Sequence, residues 1–313
     1  MSRLFPTEDP PMNAEELEKF KQLLTVYDQE LRLQRMRERT IETYRHNLWK
    51  AAKHFNRCPD DLSADELKRY FASMLGRYAP NTVNVQVASL VFLYRHVLNR
   101  EVEWGKVIRQ RSPKSLPDIP TREEVRYIIN SVRKLRFRIF LLVVYSLGLR
   151  TTEGLKLEVD DVDASQHRVH IRDSKGGKDR YVVLPELTLQ ALRRFWTTHR
   201  HPRLLFPSPV FDAELTRRAG ASMDASSVQG AFRATLLECR IQKRLTIRSL
   251  RHAYATHLLE LGMDMRLIQD LLGHEDSKTT ARYAHITKTC RDHTVDRVQA
   301  LLDGFVLRWE DQP

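Results

Sequence analysis

The chain has 313 residues, 42% of them apolar and 29% charged, with a formal net charge of +12 at neutral pH. Those proportions fit a globular protein long enough for two hydrophobic cores. No stretch reaches the roughly 18 apolar residues that a membrane span requires, and the N-terminal segment MSRLFPTEDPPMN lacks the apolar centre of a secretion signal. Cys58, Cys239 and Cys290 are odd in number and far apart, which argues against both a disulfide framework and a zinc site. The expected compartment is the cytoplasm or the nucleoid. The positive charge is spread through the chain rather than held in one tail. It suits either simple solubility or a polyanionic partner, chiefly nucleic acid, and by itself it does not separate DNA from RNA or an acidic membrane.

Residues 1–12 carry Pro6, Pro10 and Pro11 and read as a mobile arm. Asn13 then opens a helix with Glu16 as its capping-box partner, and Leu17, Phe20, Leu24, Tyr27 and Leu31 form its apolar stripe. A second helix starts near Thr40 and carries Ile41, Tyr44, Leu48 and Ala52. Ser63 and Glu66 make another capping box before Leu67, Tyr70, Phe71 and Met74. Pro80 and Asn81 open a helix with Val83, Val87, Leu90, Val91 and Tyr94. Residues 13–104 therefore read as a helical bundle domain. Residues 105–120 (GKVIRQRSPKSLPDIP) hold three prolines and the cations Lys106, Arg109, Arg111 and Lys114, and read as a basic linker. Those four cations are either a solvated loop or a set of phosphate contacts.

Thr121 and Glu124 cap the next helix, and the apolar run from Phe137 to Leu149 is too short to cross a bilayer and reads as a buried helix. Between Val159 and Val183 the pattern becomes strand, glycine-containing turn, strand, with Val169 and Ile171 on one side of SKGGK and Tyr181, Val182 and Val183 on the other. Helices resume at Glu186, with an irregular stretch at 200–226, and are expected near 248–262, 264–272 and 277–288. Gly262 and Gly273 stand where two of them should stop. The fold class is mainly α with a small β-sheet. The second domain is expected over 121–289, followed by a tail helix over 290–313 whose stripe is Val295, Val298, Leu301 and Leu302.

Three segments hold groups that suit chemistry. In LGLRTTEGLKL, Arg150 follows a buried helix and needs either a ligand or an ion pair with Glu153. In RDSKGGKDRYVVL, Lys175 sits at the tip of the hairpin. In the segment from Leu245 to Ile286, Arg248 and Arg251 share a helix face, His274 follows a helix-ending glycine and Tyr283 comes nine residues later. Lys243 and Arg244 precede them. Taken singly, each of these residues is more often an ordinary structural or surface group. His252 and His257 have no metal-site glutamate between them and are read as structural. P-loop, GxGxxG, HExxH and GxSxG arrangements are all missing, as are carboxylate clusters for two-metal chemistry.

Together GLRTTEGLKL, SKGGKDR, LRHAYATHLL and LLGHEDSKTTARY resemble the tyrosine recombinase, or phage integrase, family in order and spacing. The resemblance covers nearly the whole chain. It implies a helical core-binding DNA-binding domain and a mixed, mainly helical catalytic domain that close on duplex DNA, with four protomers acting on two sites. It implies that Arg150, Arg248 and Arg251 bind the scissile phosphate, that His274 donates to it, that Tyr283 attacks phosphorus and that Lys175 protonates the 5′ oxygen. Glu153 would support the site, and Lys106, Arg109, Arg111, Lys114, Lys243 and Arg244 are candidate DNA contacts. The covalent link stores the energy of the cut strand, so no cofactor and no metal is expected. Arg248 departs from the family pattern, which has histidine at that position. The tail helix would dock on a neighbouring protomer, the alternative being its own domain. Two other readings share the fold: a DNA-binding accessory protein that does not cleave, and a monomeric enzyme like the type IB topoisomerases.

Overall fold

The computed structural model describes residues 12–102, 110, 117–172, 179–208, 213–273 and 288–309, with backbone alone at 213 and 288–293. The chain forms two compact units, Met1–Ser115 and Leu116–Pro313. Among the described residues no helix is long and apolar enough to cross a membrane, and the free cysteines are Cys58 and Cys239.

The first unit contains α1 (Ala14–Leu33), α2 (Glu38–Phe55), α3 (Ala64–Met74) and α4 (Pro80–Phe92), which runs on into a π-helical turn at Leu93–Val97. Sequence-local signals account for most of these boundaries. Ser63 and Glu66 exchange both capping-box bonds, and Pro80 occupies the first turn of α4, where its missing N–H is harmless. At α1 the expectation is half met. Asn13 accepts from the Glu16 N–H, but the Glu16 carboxylate accepts instead from the Cys58 N–H at 2.7 Å, because the tertiary fold brings a distant donor to it. Phe20, Tyr27, Leu31, Leu48, Phe71, Val83 and Leu90 fill the core. Two of the tyrosine hydroxyls buried there have backbone partners: Tyr27 donates to the Ser89 carbonyl, and Tyr94 donates to that of Pro59. Asn84 of α4 holds both backbone groups of Gln110, at 2.9 and 2.8 Å.

The second unit is built around α6 (Leu135–Ser146), whose residues from Phe137 to Ser146 are all buried. It packs against α5 (Arg122–Ser131), α7 (Thr151–Leu155), α8 (Glu186–Trp196) and α11 (Ile247–Glu260). An apolar helix covered on all sides has no amphipathic pattern to read, and its length and hydrophobicity alone mark it as buried. Three antiparallel strands, β1 (Val162–Asp163), β2 (Arg168–Ile171) and β3 (Arg180–Val183), form a sheet in sequence order, with Val169 opposite both Val162 and Val182. Further helices are α9 (Ala213–Arg217), α10 (Ala225–Glu238), α12 (Met265–Leu272) and α13 (Lys288–Ala300). The irregular 200–226 stretch is organised by buried His201, whose Nδ1 accepts from the Leu204 N–H and whose Nε2 meets the Ala219 carbonyl. The structural reading of His257 holds. Its Nε2 faces the Pro120 carbonyl, so that nitrogen carries the hydrogen and Nδ1 accepts from the Tyr145 hydroxyl at 2.9 Å.

The tail departs from expectation. The helix described there ends at Ala300, Gly304 takes φ +71°, and the chain continues without helix to Trp309. Val298, Leu301, Leu302, Phe305 and Leu307 lie in the core of the same unit. Three arginines fix this arrangement by capping tail carbonyls. Arg122 donates to Ala300 O at 2.6 Å, Arg126 to Asp303 O at 3.0 Å, and fully buried Arg138 to Arg308 O. Val298, Leu301 and Leu302 of the stripe that the resemblance directs to a neighbouring protomer are therefore covered by their own chain. The 277–288 helix of the sequence reading lies almost entirely outside the described residues.

Candidate active site

The site is assembled at the turn after α6. Gly148 adopts φ +59°, and a Cβ there would stand 2.5 Å from Cδ1 of Tyr254, so this turn requires glycine. The chain then enters α7, with Arg150 in the N-cap position. The Arg150 N–H donates to Oε2 of Glu153 at 2.9 Å, and its Nη1 donates to Oε1 at 2.5 Å. The ion pair offered by the spacing is therefore real, but it is not a surface pair. The Glu153 side chain is only 5% exposed, while that of Arg150 is 31% exposed.

Two more arginines reach the same carboxylate from distant parts of the chain. Arg180, the first residue of β3, donates from Nη1 to Oε1 at 3.1 Å and from Nη2 to Oε2 at 2.8 Å. Arg251 of α11 lies 3.5 Å from Oε2 through Nη1. Arg251 is buried, and its guanidinium also donates to the carbonyls of Gly148 at 2.8 Å and Leu272 at 2.6 Å. The Leu272 bond caps the end of α12, just before Gly273 turns left-handed at φ +65°.

The charges in this cluster are unbalanced. Burial alone would push the Glu153 carboxyl up. The hydrogen bond and charge of Arg180, with the N–H and guanidinium of Arg150, outweigh that and hold it down at about 2. Arg251 is pulled the other way. Burial, then the nearby charge of Arg150, lowers it to about 10, with Arg180 and Arg248 contributing and Glu153 opposing. Burial and the neighbouring guanidinium charges both weigh against the charged form of Arg251, and Glu153 offsets part of that cost. Arg248 is exposed, one turn before Arg251 on α11, and its charge is felt at both Arg251 and His252.

The structure brings together Arg150, Glu153 and Arg251, with Arg248 beside them. Lys175, His274 and Tyr283 lie outside the described residues, as do Lys106, Arg109, Arg111 and Lys114. Lys243 has structural work: its ammonium bonds the Glu124 carboxylate and the Ile119 carbonyl. Arg244 is exposed, and its N–H donates to Asp118. Arg180 is absent from the sequence reading. The only available signal was a cation opening a strand beside the SKGGK turn, and its partner lies 27 residues earlier. Among the described residues no group of three or more His, Cys, Asp or Glu side chains is placed to hold a metal ion.

The sequence matches the phage integrase family over residues 120–289 and the N-terminal SAM-like domain of phage integrases over residues 23–104. The chain belongs to this family, whose members are the tyrosine recombinases. It is similar to an integrase/recombinase of Escherichia coli, 31% identical over 80% of this chain and 85% of that one. It is also similar to the tyrosine recombinase XerA of Pyrococcus furiosus, 30% identical over 76% and 82%. Among solved structures it is similar to a lambda integrase dimer bound to a COC′ core site, with a TM-score of 0.66, 14% identity and coverage of 82% and 96%. The Tn1549 transposon integrase in complex with circular intermediate DNA gives a TM-score of 0.62 at 16% identity, covering 87% and 98%. At such identities these two likenesses show the fold alone. By family the protein is a tyrosine-type, DNA-binding enzyme of site-specific recombination.

Proposed function

We propose that this recombinase cuts and rejoins DNA with Tyr283 as its nucleophile and the Arg150–Arg251 pair as its phosphate clamp. The observation that supports it best is the surplus of positive charge around Glu153, where three arginines share one carboxylate and Arg150 keeps an exposed edge. A phosphodiester repels nucleophiles, and its transition state gathers more charge on the non-bridging oxygens. Guanidinium forks suit those oxygens, and each such donor contributes on the order of 100- to 1000-fold in rate. In this reading the Tyr283 hydroxyl passes its proton to water or His274 and bonds phosphorus, the bond to the 5′ oxygen breaks, and Lys175 protonates that oxygen. The product is a 3′-phosphotyrosyl link, and attack by a 5′-hydroxyl reverses the step without ATP. His274 and Arg248 add hydrogen bonds to the phosphate, and Glu153 supports the arginines.

The domain limits we assign are 13–104 for the core-binding domain, 105–120 for the linker and 121–289 for the catalytic domain, whose core the tail residues Val298 to Leu307 complete. Lys106, Arg109, Arg111 and Lys114 take phosphate contacts along the DNA. A homotetramer on two sites, working at the nucleoid, completes this reading.

The test uses suicide sites that carry a nick. Wild type should become covalently trapped, while Tyr283→Phe should bind the same site and form no adduct. Trapping of the Tyr283→Phe protein would remove Tyr283 from this role, and binding by wild type without any adduct would point to a non-cleaving DNA-binding protein.

A further inference from the structure

We infer that Arg180 is a positioning residue for strand cleavage: by holding both oxygens of Glu153, it fixes the direction of Arg150 and keeps the carboxylate from neutralising the phosphate clamp. The inference rests on the proposed role of Arg150 and Arg251 at the scissile phosphate.

Three observations carry it. First, the geometry is a two-point fork, with Nη1 on Oε1 at 3.1 Å and Nη2 on Oε2 at 2.8 Å. Such a fork fixes the plane of a carboxylate, which a single point charge does not. The Arg150 contacts then fall on a carboxylate that has no freedom to turn. Second, the third nitrogen is also engaged: Nε donates to the Leu271 carbonyl at 3.1 Å. The stem of Arg180 lies against Gly273, where a Cβ would come within 2.9 Å of Cδ. One side chain thus ties the start of β3 to α7 and to the end of α12. Third, the Arg180 side chain is only 9% exposed, against 31% for Arg150. Arg180 is turned into the protein, and Arg150 is the more exposed of the two.

The charge argument follows from the same contacts. Among the described residues, the groups facing Glu153 include Arg150 with its backbone N–H at the start of α7, Arg180 from β3 and Arg251 from α11, with the charge of Arg248 acting on Arg251 from one turn away. Without Arg180, the full negative charge of Glu153 falls on the two arginines that should meet phosphate. The carboxyl would also lose the strongest of the influences that keep it ionised, so it would bind a proton more readily as the pH falls, and its neutral form would hold Arg150 less firmly.

The experiment is single-turnover cleavage of a nicked site by the full-length protein between pH 5 and pH 8, with single-site binding and thermal unfolding measured in parallel. Arg180→Gln should leave binding intact and slow cleavage by about 100-fold, the scale of a small misplacement of a reacting group. Its deficit should be greater at pH 5 than at pH 8, and the double variant Arg180→Gln/Glu153→Gln should lose that difference. Arg180→Lys keeps the charge without the fork and should show a smaller loss at every pH. Should Arg180→Gln fail to fold, Arg180→Lys decides: slower cleavage with unchanged binding and unfolding temperature supports the inference. Wild-type rates in Arg180→Lys, or an Arg180→Gln deficit that is the same at every pH, overturn it by showing a plain structural brace. A wild type that forms no adduct overturns the functional reading itself, so the two failures are distinguishable.

Discussion

The Arg251 guanidinium donates to the carbonyl of Leu272 at 2.6 Å, across 21 residues of chain. An arginine assigned to the scissile phosphate is therefore also the cap on a helix end, and the phosphate site and the close of α12 are set by one group. Arg251→Lys keeps a positive charge but does not reproduce the fork that spans Gly148, Leu272 and a ligand. We expect cleavage to fall by on the order of 100-fold or more. Stability should fall by about 1–3 kcal/mol as a buried carbonyl loses its donor. Suicide-site trapping and denaturant unfolding measure the two effects separately. A variant that loses stability but cleaves normally would show that Arg251 serves the fold alone.

Glu153 makes the second unit acid-sensitive in a defined window. Its carboxyl is near 2 in the fold against an ordinary value of 4.5, so below 4.5 the unfolded chain binds the proton more readily. The pair network contributes fully above 4.5 and is lost as the pH falls through 2, by roughly 3 kcal/mol in all. Unfolding free energies measured from pH 5 down to pH 2 should show this loss in wild type and a shallower one in Glu153→Gln. Equal slopes would remove Glu153 from the acid response.

Arg248 tests a departure from the family pattern. Arginine donates hydrogen bonds but accepts no proton near neutrality. Arg248→Ala should slow single-turnover cleavage by roughly 100-fold while leaving site binding nearly intact. Arg248→His should retain measurable cleavage. Equal rates in wild type and Arg248→Ala would leave this exposed arginine without a catalytic part.

The tail is now expected to matter for folding before it matters for assembly. Ending the chain after Gly304 removes Phe305 and Leu307 from the core and strips Arg138 of one of its carbonyl partners. Emptying a large aromatic site alone costs about 3–5 kcal/mol. Thermal unfolding should show a large drop, and a truncated protein as stable as wild type would mean that the tail leaves the core at little cost.

What was legible in the sequence is what lies within a few residues. The capping pairs Ser63–Glu66 and Thr121–Glu124, the apolar α6, the strand–turn–strand around SKGGK and the Arg150–Glu153 contact all follow from spacing, because helices and strands repeat over short distances. The order of the four motifs also marked the family. The tertiary structure decided which groups share a charge. Glu16 leaves its own helix cap for Cys58, Arg180 reaches Glu153 across 27 residues, and Arg251 closes on Leu272. It also turned the tail back onto Arg122, Arg126 and Arg138. A buried polar group must find a partner, but periodicity states only that a group is buried or exposed. Which donor meets which acceptor is fixed by how distant elements pack.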